Sequence, residues 1–382
     1  MRIGFVSGNF YPRTGGLEMV THFQALGLKK VGHDVAVACS SMPEIPKGFK
    51  YPYNCYRSSH FSFFTPLLQK LNREKMINNE RVDLLHGAMV NGGGWEALPH
   101  ALKHNIPLVA QSHGADVQCV PEIQYGASLI PEHIKRIHEV FKYARTLIAV
   151  SQINLNDMVN LGADEGKISI VHNGIPWEDI QSIKQTLCRA DYQLNDEDFV
   201  LVIVGRNRPV KRMELLCQAI HLLKDKPHLR CLCVGPEQEL SALVKQYDIS
   251  NLMVLCGRIP KTMELGMTPP YQELINVLRL SDLYVSTSYV EACGLAALEA
   301  YSCGLPVLCG KRHGVSEMLM KEPIELKMDK ETPEELADMI ECAMQKRNCL
   351  AELKQSRISD ARRWSWDNQI PKLLSVYQKA TH

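Results

Sequence analysis

The sequence feature that most constrains the fold is the run Ser288–Gly310, which reads SYVEACGLAALEAYSCGLPVLCG. A helix-forming stretch rich in alanine and leucine, Leu295–Cys303, ends at Gly304, a residue type common at helix C-termini. Short apolar runs stand before and after it, at Asp282–Ser286 and Leu305–Cys309. The order strand, turn, helix, strand predicts a βαβ unit, in which the helix begins at the carboxyl edge of a parallel sheet.

The residues around the start of this helix indicate a site for a nucleotide sugar. The first N–H groups of the helix and its dipole attract an anion such as phosphate, and Gly294 allows close approach because it has no Cβ. A carboxylate would repel that anion, so we expect Glu291 to bind the hydroxyls of a sugar and Glu299 those of a ribose. Two acids that flank an anion-binding helix start favour a nucleotide-sugar site.

These residues also form a longer string: two acids separated by seven residues, Gly-Leu after the first, and EA..CG.PV beginning at the second. The string resembles the donor-binding signature of the retaining glycosyltransferases of family 4. The resemblance implies the GT-B fold, an α/β protein with two Rossmann-like, doubly wound domains facing across a cleft and a C-terminal helix that returns to the first domain. It also implies that Cys293, Gly294 and Leu295 bind the donor.

Composition agrees with a globular protein of two domains. The chain has 382 residues, of which 45% are hydrophobic and 22% charged, and its formal net charge of +1 argues against a dedicated nucleic-acid binder. The 13 cysteines are scattered without a C-x-x-C pair, so neither a zinc ribbon nor a redox motif is supported. Reduced cysteines, a first strand without a preceding signal peptide and the lack of a long apolar run predict a cytoplasmic protein.

Two loops in the first half follow predicted strands as ligand-binding loops do in doubly wound sheets. Gly15 and Gly16 follow the first strand and precede a helix start, and in the family the matching glycine pair approaches the donor diphosphate. The strand Ile106–Ser112 ends at His113, which the resemblance implies reaches the transferred sugar. We expect His86 at a similar strand end, with a functional and a structural role equally open.

The second half carries cations after the strand Phe199–Val204. Arg206 belongs to a Gly-Arg pair at the strand end, and Lys211 follows five residues later, as in the second signature of the family. Two fixed cations can neutralise the charge that builds on a departing diphosphate. Arg208 and Arg212 lie in the same loop, so the identity of the arginine stays open.

Further segments of this half have a less defined role. The loop after the strand Leu252–Cys256 lies where nucleotide bases sit in this fold, and Arg258 can stack there. The segment Gly310–Glu317 resembles the G.GG..E motif of the family, but Lys311-Arg312-His313 replaces the usual small residues, so no role is assigned to it. Met263–Pro270 is expected to be a longer connection than the family norm.

The chain is predicted to divide at the HNGIP segment. Residues 1–174 form the acceptor domain, joined by a return helix at about 366–382, and residues 175–365 form the donor domain. Residues 44–75 mix proline, aromatic and basic side chains and are interpreted as the least regular part of the first domain. Such a surface suits anionic lipid, and an ordinary solvated segment is the alternative.

The predicted function is a retaining transfer of a hexose or N-acetylhexosamine from a nucleoside diphosphate sugar to an acceptor hydroxyl. In the family the nucleotide is most often UDP, then GDP. A polysaccharide, a lipopolysaccharide precursor, a glycolipid or a small molecule could be the acceptor. No D-x-D follows a strand, so neither a metal nor another cofactor is expected. The alternatives are a GT-B nucleotide-sugar epimerase, a phosphorylase, whose pyridoxal-phosphate lysine motif is not evident, and a non-catalytic nucleotide-binding protein.

Overall fold

A computed structural model describes residues 1–12, 15–41, 50–57, 65–235, 237–259 and 272–381. The chain divides into two compact units. The first contains Met1–Gly174 and Trp366–His382, and the second contains Ile175–Ser365.

The first unit has a parallel sheet. Its strands are β1 (Arg2–Asn9), β2 (Asp34–Ser41), β3 (Asn54–Arg57), β4 (Leu84–Ala88), β5 (Leu108–Gln111), β6 (Thr146–Ala149) and β7 (Ile168–Ile170). Among the described residues they lie in the order β3-β2-β1-β4-β5-β6-β7, and each pair is parallel. The helices are α1 (Gly16–Lys30), α2 (Thr65–Glu80), α3 (Trp95–His104), α4 (Pro131–Tyr143) and α5 (Gln152–Asn160).

The second unit repeats this architecture. Its strands are β8 (Phe199–Val204), β9 (Leu229–Val234), β10 (Met253–Gly257), β11 (Leu283–Val285), β12 (Val307–Gly310) and β13 (Lys327–Met328). They lie in the order β10-β9-β8-β11-β12-β13, and each pair is again parallel. Its helices are α6 (Trp177–Ser182), α7 (Met213–Leu222), α8 (Glu237–Gln246), α9 (Gln272–Arg279), α10 (Leu295–Ser302), α11 (Pro333–Gln345), α12 (Arg347–Glu352) and α13 (Lys354–Ala361). The last helix, α14 (Trp366–Thr381), belongs to the first unit.

The sequence explains why these strands lie in the middle of each unit. The run FVLVIV of β8 is apolar on both faces and almost wholly buried, as a parallel strand covered by helices on both sides requires. The predicted α/β architecture with two doubly wound sheets is therefore confirmed.

The strand order places a switch point in each sheet, where successive connections leave in opposite directions. In the first unit it lies between β1 and β4, and in the second between β8 and β11. Loops that follow the two strands of a switch point diverge and leave a crevice at the carboxyl edge, where ligands bind in open α/β sheets. The loops after β8 and β11 are those that carry Lys211 and Glu291.

The C-terminal helix α14 is held in the first unit by specific contacts. The Tyr377 hydroxyl is 2.7 Å from His86 Nδ1, and the indole of Trp366 stacks on Phe23 with ring centroids 5.9 Å apart. His86 is fully buried within β4 and does not stand at the end of a strand, which corrects the prediction. Its neutral ring therefore has a structural partner in the core.

Residues 44–75, predicted to be the least regular part of the first domain, contain two regular elements in the part that the structure describes. Asn54–Arg57 forms β3 and Thr65–Glu80 forms α2. The strand was missed because its four residues include only one hydrophobic cysteine and one tyrosine, and the helix because it buries only Met76 and Ile77. The rest of that segment, at 44–49 and 58–64, and the expected long connection Met263–Pro270 lie outside the described residues.

Candidate functional site

The centre of the candidate site is an ion pair between Lys211 and Glu291, two residues 80 positions apart in the chain. Lys211 ends a short 3-10 turn after β8, and Glu291 follows β11, so the switch point of the second sheet brings them together. Both side chains keep about a third of their surface exposed, at 31% and 27%. The pair therefore stands at the surface of the crevice that the strand order creates.

Backbone contacts fix these two loops to each other. The Thr287 hydroxyl donates to the carbonyl of Lys211 at 2.7 Å, and the Tyr289 N–H donates to the carbonyl of Val210, also at 2.7 Å. The backbones that carry Lys211 and Glu291 are thus held together by hydrogen bonds, in addition to the ion pair between the two side chains.

The electrostatics keep Glu291 ionised. Burial raises the pKa of its carboxyl, but the charge and hydrogen bond of Lys211 outweigh burial, so the pKa lies below its ordinary value. The Ser288 hydroxyl also donates to Glu291 Oε2 at 3.4 Å. An ionised carboxylate is a strong acceptor for sugar hydroxyls, the role that the sequence predicts for it.

The helix α10 begins beside this pair with uncapped N–H groups. Its N-cap is Gly294, which offers no side-chain cap, and the first N–H bonded within the helix is that of Leu298, to the Gly294 carbonyl at 3.1 Å. The three N–H groups before it lack an acceptor in the helix, which suits an anion. Gly294 has φ +89°, and a Cβ there would lie 3.3 Å from Val315. Its backbone conformation therefore favours glycine whether or not a ligand approaches.

The structure places the other predicted donor residues of this motif around the same helix start. Cys293 is buried immediately before the N-cap, and Leu295 is half-buried in the first turn. Glu299 lies one turn further along α10 and is only 7% exposed. Their predicted contacts with a donor stay predictions.

The four cations of the loop after β8 have different surroundings. Arg206 and Arg208 are exposed, whereas Arg212 donates to Glu331 Oε2 at 2.6 Å and to the Glu331 carbonyl at 2.7 Å. The guanidinium of Arg212 is thus engaged with Glu331. Which arginine of this loop meets a diphosphate stays a prediction.

Arg258 follows β10, an outer strand of the second sheet, and is exposed at the carboxyl edge. It thus stands at the same edge as Lys211 and Glu291, two strands away from β8. Its predicted stacking on a base stays a prediction.

The segment Gly310–Glu317, to which the sequence assigned no role, packs against the loop of Glu291. The ring of His313 is buried with Nε2 2.6 Å from the carbonyl of Ser288, and the N–H of Gly314 donates to the Glu291 carbonyl at 2.8 Å. Burial lowers the pKa of His313, so its ring is neutral. The histidine in place of a small residue was the signal that could have indicated this support.

An aromatic side chain adds to that support. The guanidinium groups of Arg212 and Arg312 lie 5.5 and 5.3 Å from the ring centroid of Tyr289, within cation–π range. Tyr289 therefore links the cationic loop after β8 to the segment that contains His313.

In the first unit, Gly15 and Gly16 stand where α1 begins, after β1. Gly15 is the N-cap and has no side chain to cap the helix, and Met19 N–H donates to its carbonyl at 3.0 Å. The carboxylate of Glu18, in the first turn of α1, lies against Gly15, whereas the first turn of α10 has no acidic residue. The start of α1 lies at the switch point of the first sheet. The predicted approach of these glycines to a diphosphate stays a prediction.

His113 follows β5 at the carboxyl edge of the first sheet. Burial lowers the pKa of its ring to about 4, so the imidazole is neutral at neutral pH. Its Nε2 is buried and has no hydrogen-bond partner among the described residues. A buried ring nitrogen without a partner is suited to a ligand or a water molecule.

The described ranges contain no group of three or more histidine, cysteine, aspartate or glutamate side chains arranged to hold a metal ion. Within the same ranges, every helix is too short or too polar to cross a lipid bilayer.

The family of this chain is identified by its similarity to known protein families. Residues 14–178 match the family model for Glycosyltransferase Family 4, and residues 184–364 match the one for Glycosyl transferases group 1. The chain belongs to these glycosyltransferases. The family that the sequence motifs indicated is thus confirmed, and the two matches together span most of the chain.

Curated relatives of this glycosyltransferase are distant. A D-inositol 3-phosphate glycosyltransferase of Segniliparus rotundus is 25% identical over 311 residues, which are 75% of this chain and 68% of the relative. The enzyme of the same name from Salinispora tropica is 27% identical over 318 residues, which are 78% of this chain and 64% of the relative. The matched part thus spans about two thirds of these relatives.

Solved structures confirm the fold of this glycosyltransferase as GT-B. HepE of Anabaena, solved with UDP-glucose, has a TM-score of 0.73 at 18% identity, covering 98% of this chain and 99% of HepE. Sucrose-phosphate synthase of Thermosynechococcus elongatus has a TM-score of 0.81 at 16% identity, covering 99% and 98% of the two chains.

Proposed function

We propose that this glycosyltransferase moves a sugar from a nucleoside diphosphate sugar, a UDP-sugar in the first instance, to an acceptor hydroxyl with retention of anomeric configuration. The observation that carries the proposal is the pairing of Lys211 with Glu291 beside the uncapped start of α10. A cation, a sugar-binding carboxylate and free N–H groups are the three elements that a diphosphate sugar needs. HepE, solved with UDP-glucose, supports the choice of nucleotide.

Each group has a separate task in the proposed reaction. Arg206 and Lys211 stabilise the negative charge that grows on the diphosphate as its bond to the anomeric carbon breaks. The N–H groups of α10 bind the same phosphates, and Glu291 orients the sugar through its hydroxyls. The acceptor hydroxyl attacks from the face that the diphosphate leaves, and a phosphate oxygen takes its proton. Retention follows from this same-face attack.

The first unit is proposed to bind the acceptor, with His113 turned to the transferred sugar. The relatives named D-inositol 3-phosphate glycosyltransferase make that compound the first acceptor to try. Saccharide acceptors of cell-surface polysaccharide, lipopolysaccharide and glycolipid synthesis are the second group, because the lipopolysaccharide glycosyltransferase WaaG also shares the fold, with a TM-score of 0.68.

A thermal-shift screen with UDP-, GDP- and ADP-sugars, followed by turnover assays with the donors that bind, tests the proposal. We expect stabilisation by one nucleotide series and release of the nucleoside diphosphate with an acceptor. Lys211→Ala should lower kcat by about 10²–10³, the loss typical of one charge-stabilising group.

The matched control for that variant is Lys226→Ala. Lys226 also forms an ion pair with a glutamate, Glu341, in the second unit and is similarly exposed at 42%, but it lies before β9 at the amino edge of the sheet. Its loss should leave kcat unchanged. Equal kcat values for the two variants would show that Lys211 does not contribute to the reaction. Conversion of the donor without an acceptor would favour the epimerase.

Divalent metal is not part of the proposed reaction, since Arg206, Lys211 and backbone N–H groups supply the positive charge. Transfer rates measured before and after treatment with EDTA should agree. A loss of activity that Mg²⁺ or Mn²⁺ restores would show that a metal ion shares the neutralisation of the diphosphate.

We further propose that this protein, expected to be cytoplasmic, touches an anionic membrane through α2. This helix exposes three leucines close together in the chain: Leu67, Leu68 and Leu71 are 53%, 37% and 46% exposed. Contiguous apolar surface of this kind is unusual where a protein faces only water. The exposed Lys70 and Lys75 on the same helix supply charge complementary to acidic lipid. Apolar insertion and electrostatic attraction together describe an interfacial helix.

Cosedimentation with vesicles of phosphatidylcholine, alone or with about 30 mol% phosphatidylglycerol, tests the contact. Binding should require the anionic lipid and weaken with salt, and Leu67→Ser/Leu71→Ser should reduce it. Leu222→Ser, which alters a leucine 53% exposed on α7, is the control and should bind as the wild type does. Equal binding to neutral vesicles would contradict the proposal.

A further inference from the structure

One buried carboxylate, that of Asp116, joins two loops at the carboxyl edge of the first sheet. Its side chain is wholly buried in the loop after β5. Oδ2 accepts from the N–H of Val90 at 2.7 Å, and Oδ1 accepts from the N–H of His113 at 3.1 Å and from the Ser112 hydroxyl at 3.0 Å. One carboxylate therefore holds the segment after β4 and the loop after β5 at a fixed separation.

The residues held in this way face the substrate side of the sheet. His113 is the residue proposed to reach the transferred sugar. Met89, which precedes Val90, is half-buried and has φ +67°, in the left-handed region. For a residue other than glycine this backbone conformation costs about 1–2 kcal/mol, so it persists only where neighbouring contacts impose it. The bond from Val90 N–H to Asp116 is such a contact.

A second layer keeps Asp116 in place. The side-chain amide of Asn154 donates to the Ser112 hydroxyl at 2.9 Å, and the N–H of Val150 donates to Asn154 Oδ1 at 3.1 Å. The ends of β5 and β6 and the start of α5 thus share one buried network. Burial raises the pKa of Asp116, and its hydrogen bonds from Val90, His113 and Ser112 oppose that rise. The three partners just named all donate, which suits a carboxylate and not an amide.

We propose that Asp116 is a positioning residue for the transfer reaction, because it sets the separation of Met89 and His113 and thereby shapes the surface on which the acceptor docks. The inference rests on the proposed function, since it assigns acceptor binding to the first unit. Asp116 touches neither substrate, so its effect is transmitted through the backbone of Val90 and His113.

Asp116→Asn is the first test, because the amide presents an NH₂ group to one of the N–H donors and breaks that bond while keeping the size. Steady-state kinetics with varied D-inositol 3-phosphate, or with the acceptor found in the screen, should show kcat/KM for the acceptor lowered about 10- to 100-fold, the range for a misplaced reacting group. The dissociation constant of UDP, measured by calorimetry, should change less than about twofold, because UDP is proposed to bind the second unit.

Two further variants complete the design. Asp83→Asn alters another aspartate of the first unit, which accepts from Arg2 N–H at 2.8 Å at the amino edge of the sheet. It should lower stability without changing the KM of the acceptor. Ser112→Ala keeps the carboxylate and removes one donor, so it remains informative if Asp116→Asn does not fold, with an expected loss of about 3- to 10-fold in kcat/KM.

The failure of this inference differs from the failure of the proposed function. A wild-type protein that turns over no sugar nucleotide overturns the function, whatever the variants do. An active wild type whose Asp116→Asn and Ser112→Ala variants keep the kcat/KM of the acceptor overturns the inference alone. Loss of UDP affinity in parallel with turnover in a folded Ser112→Ala protein would show that the network does not act on the acceptor alone and would also overturn the inference.

Discussion

Gly294→Ala should destabilise the second unit and weaken its binding of nucleotide. The residue has φ +89°, a conformation that costs an alanine about 1–2 kcal/mol. An added Cβ would also lie 3.3 Å from Val315, closer than ordinary contact, so Val315 must shift as well. For a unit of this size each kcal/mol lowers Tm by about 2–4 °C, which gives a decrease of roughly 2–8 °C.

Gly32 offers a control for the backbone cost alone. It has the same φ of +89°, follows α1 in the first unit, and would place its Cβ where no atom lies within 4 Å. Gly32→Ala should therefore show the conformational cost without the contact and without an effect on the candidate site. Differential scanning calorimetry on both variants separates the two contributions.

The functional readout is the affinity for UDP, measured by isothermal titration calorimetry. In Gly294→Ala the first N–H groups of α10 must move to accommodate the methyl group, so we expect binding about tenfold weaker, or about 1.4 kcal/mol. Gly32→Ala should bind as the wild type does. Unchanged UDP affinity in a destabilised Gly294→Ala protein would refute the role of this helix start in binding phosphate.

Three further predictions concern the first unit. Tyr377→Phe leaves His86 Nδ1 without its partner and should lower the free energy of unfolding by about 1–3 kcal/mol in urea titrations, whereas no change would show that the hydrogen bond is not formed. Hydrogen bonds from Lys103, His104 and His100 outweigh burial and lower the pKa of Glu74 to about 2, so its contribution to stability is complete above about pH 4.5 and is lost as the pH falls towards 2. Glu74→Gln should flatten that part of a pH series of unfolding midpoints, and a parallel curve would contradict the assignment. Gly93→Ala should cost about 3 kcal/mol, because the new Cβ would overlap the carbonyl of Val6, and a Tm equal to that of the wild type would show that the segment can move aside.

The fold was predictable where the sequence is strongly patterned. The run FVLVIV predicts a strand over Phe199–Val204, and β8 has these bounds. Gly304 predicts the end of α10 and has φ +90° just after the helix ends. Such elements are defined by local composition, which a single sequence reveals directly.

The remainder depends on contacts between distant residues. His86 looked like a strand-end residue, but its surroundings are set by Tyr377, 291 positions away. Lys211 and Glu291 were both singled out, yet their ion pair follows from the order in which strands lie in the sheet, which no local pattern specifies. The sequence assigns no role to His313, because that role depends on the fold of the loop beside it.

The location of α14 has a consequence for the order in which this chain can mature during translation. Residues 366–381 complete the first unit, where Tyr377 reaches the buried imidazole of His86 in the central sheet. A nascent chain that has only reached residue 174 lacks Tyr377, the partner of that ring, until residues 175–365, a compact unit of their own, have been synthesised. The unit that is synthesised first is thus completed last. Nascent chains that are stalled on the ribosome before residue 366 should therefore be bound by chaperones through their N-terminal half.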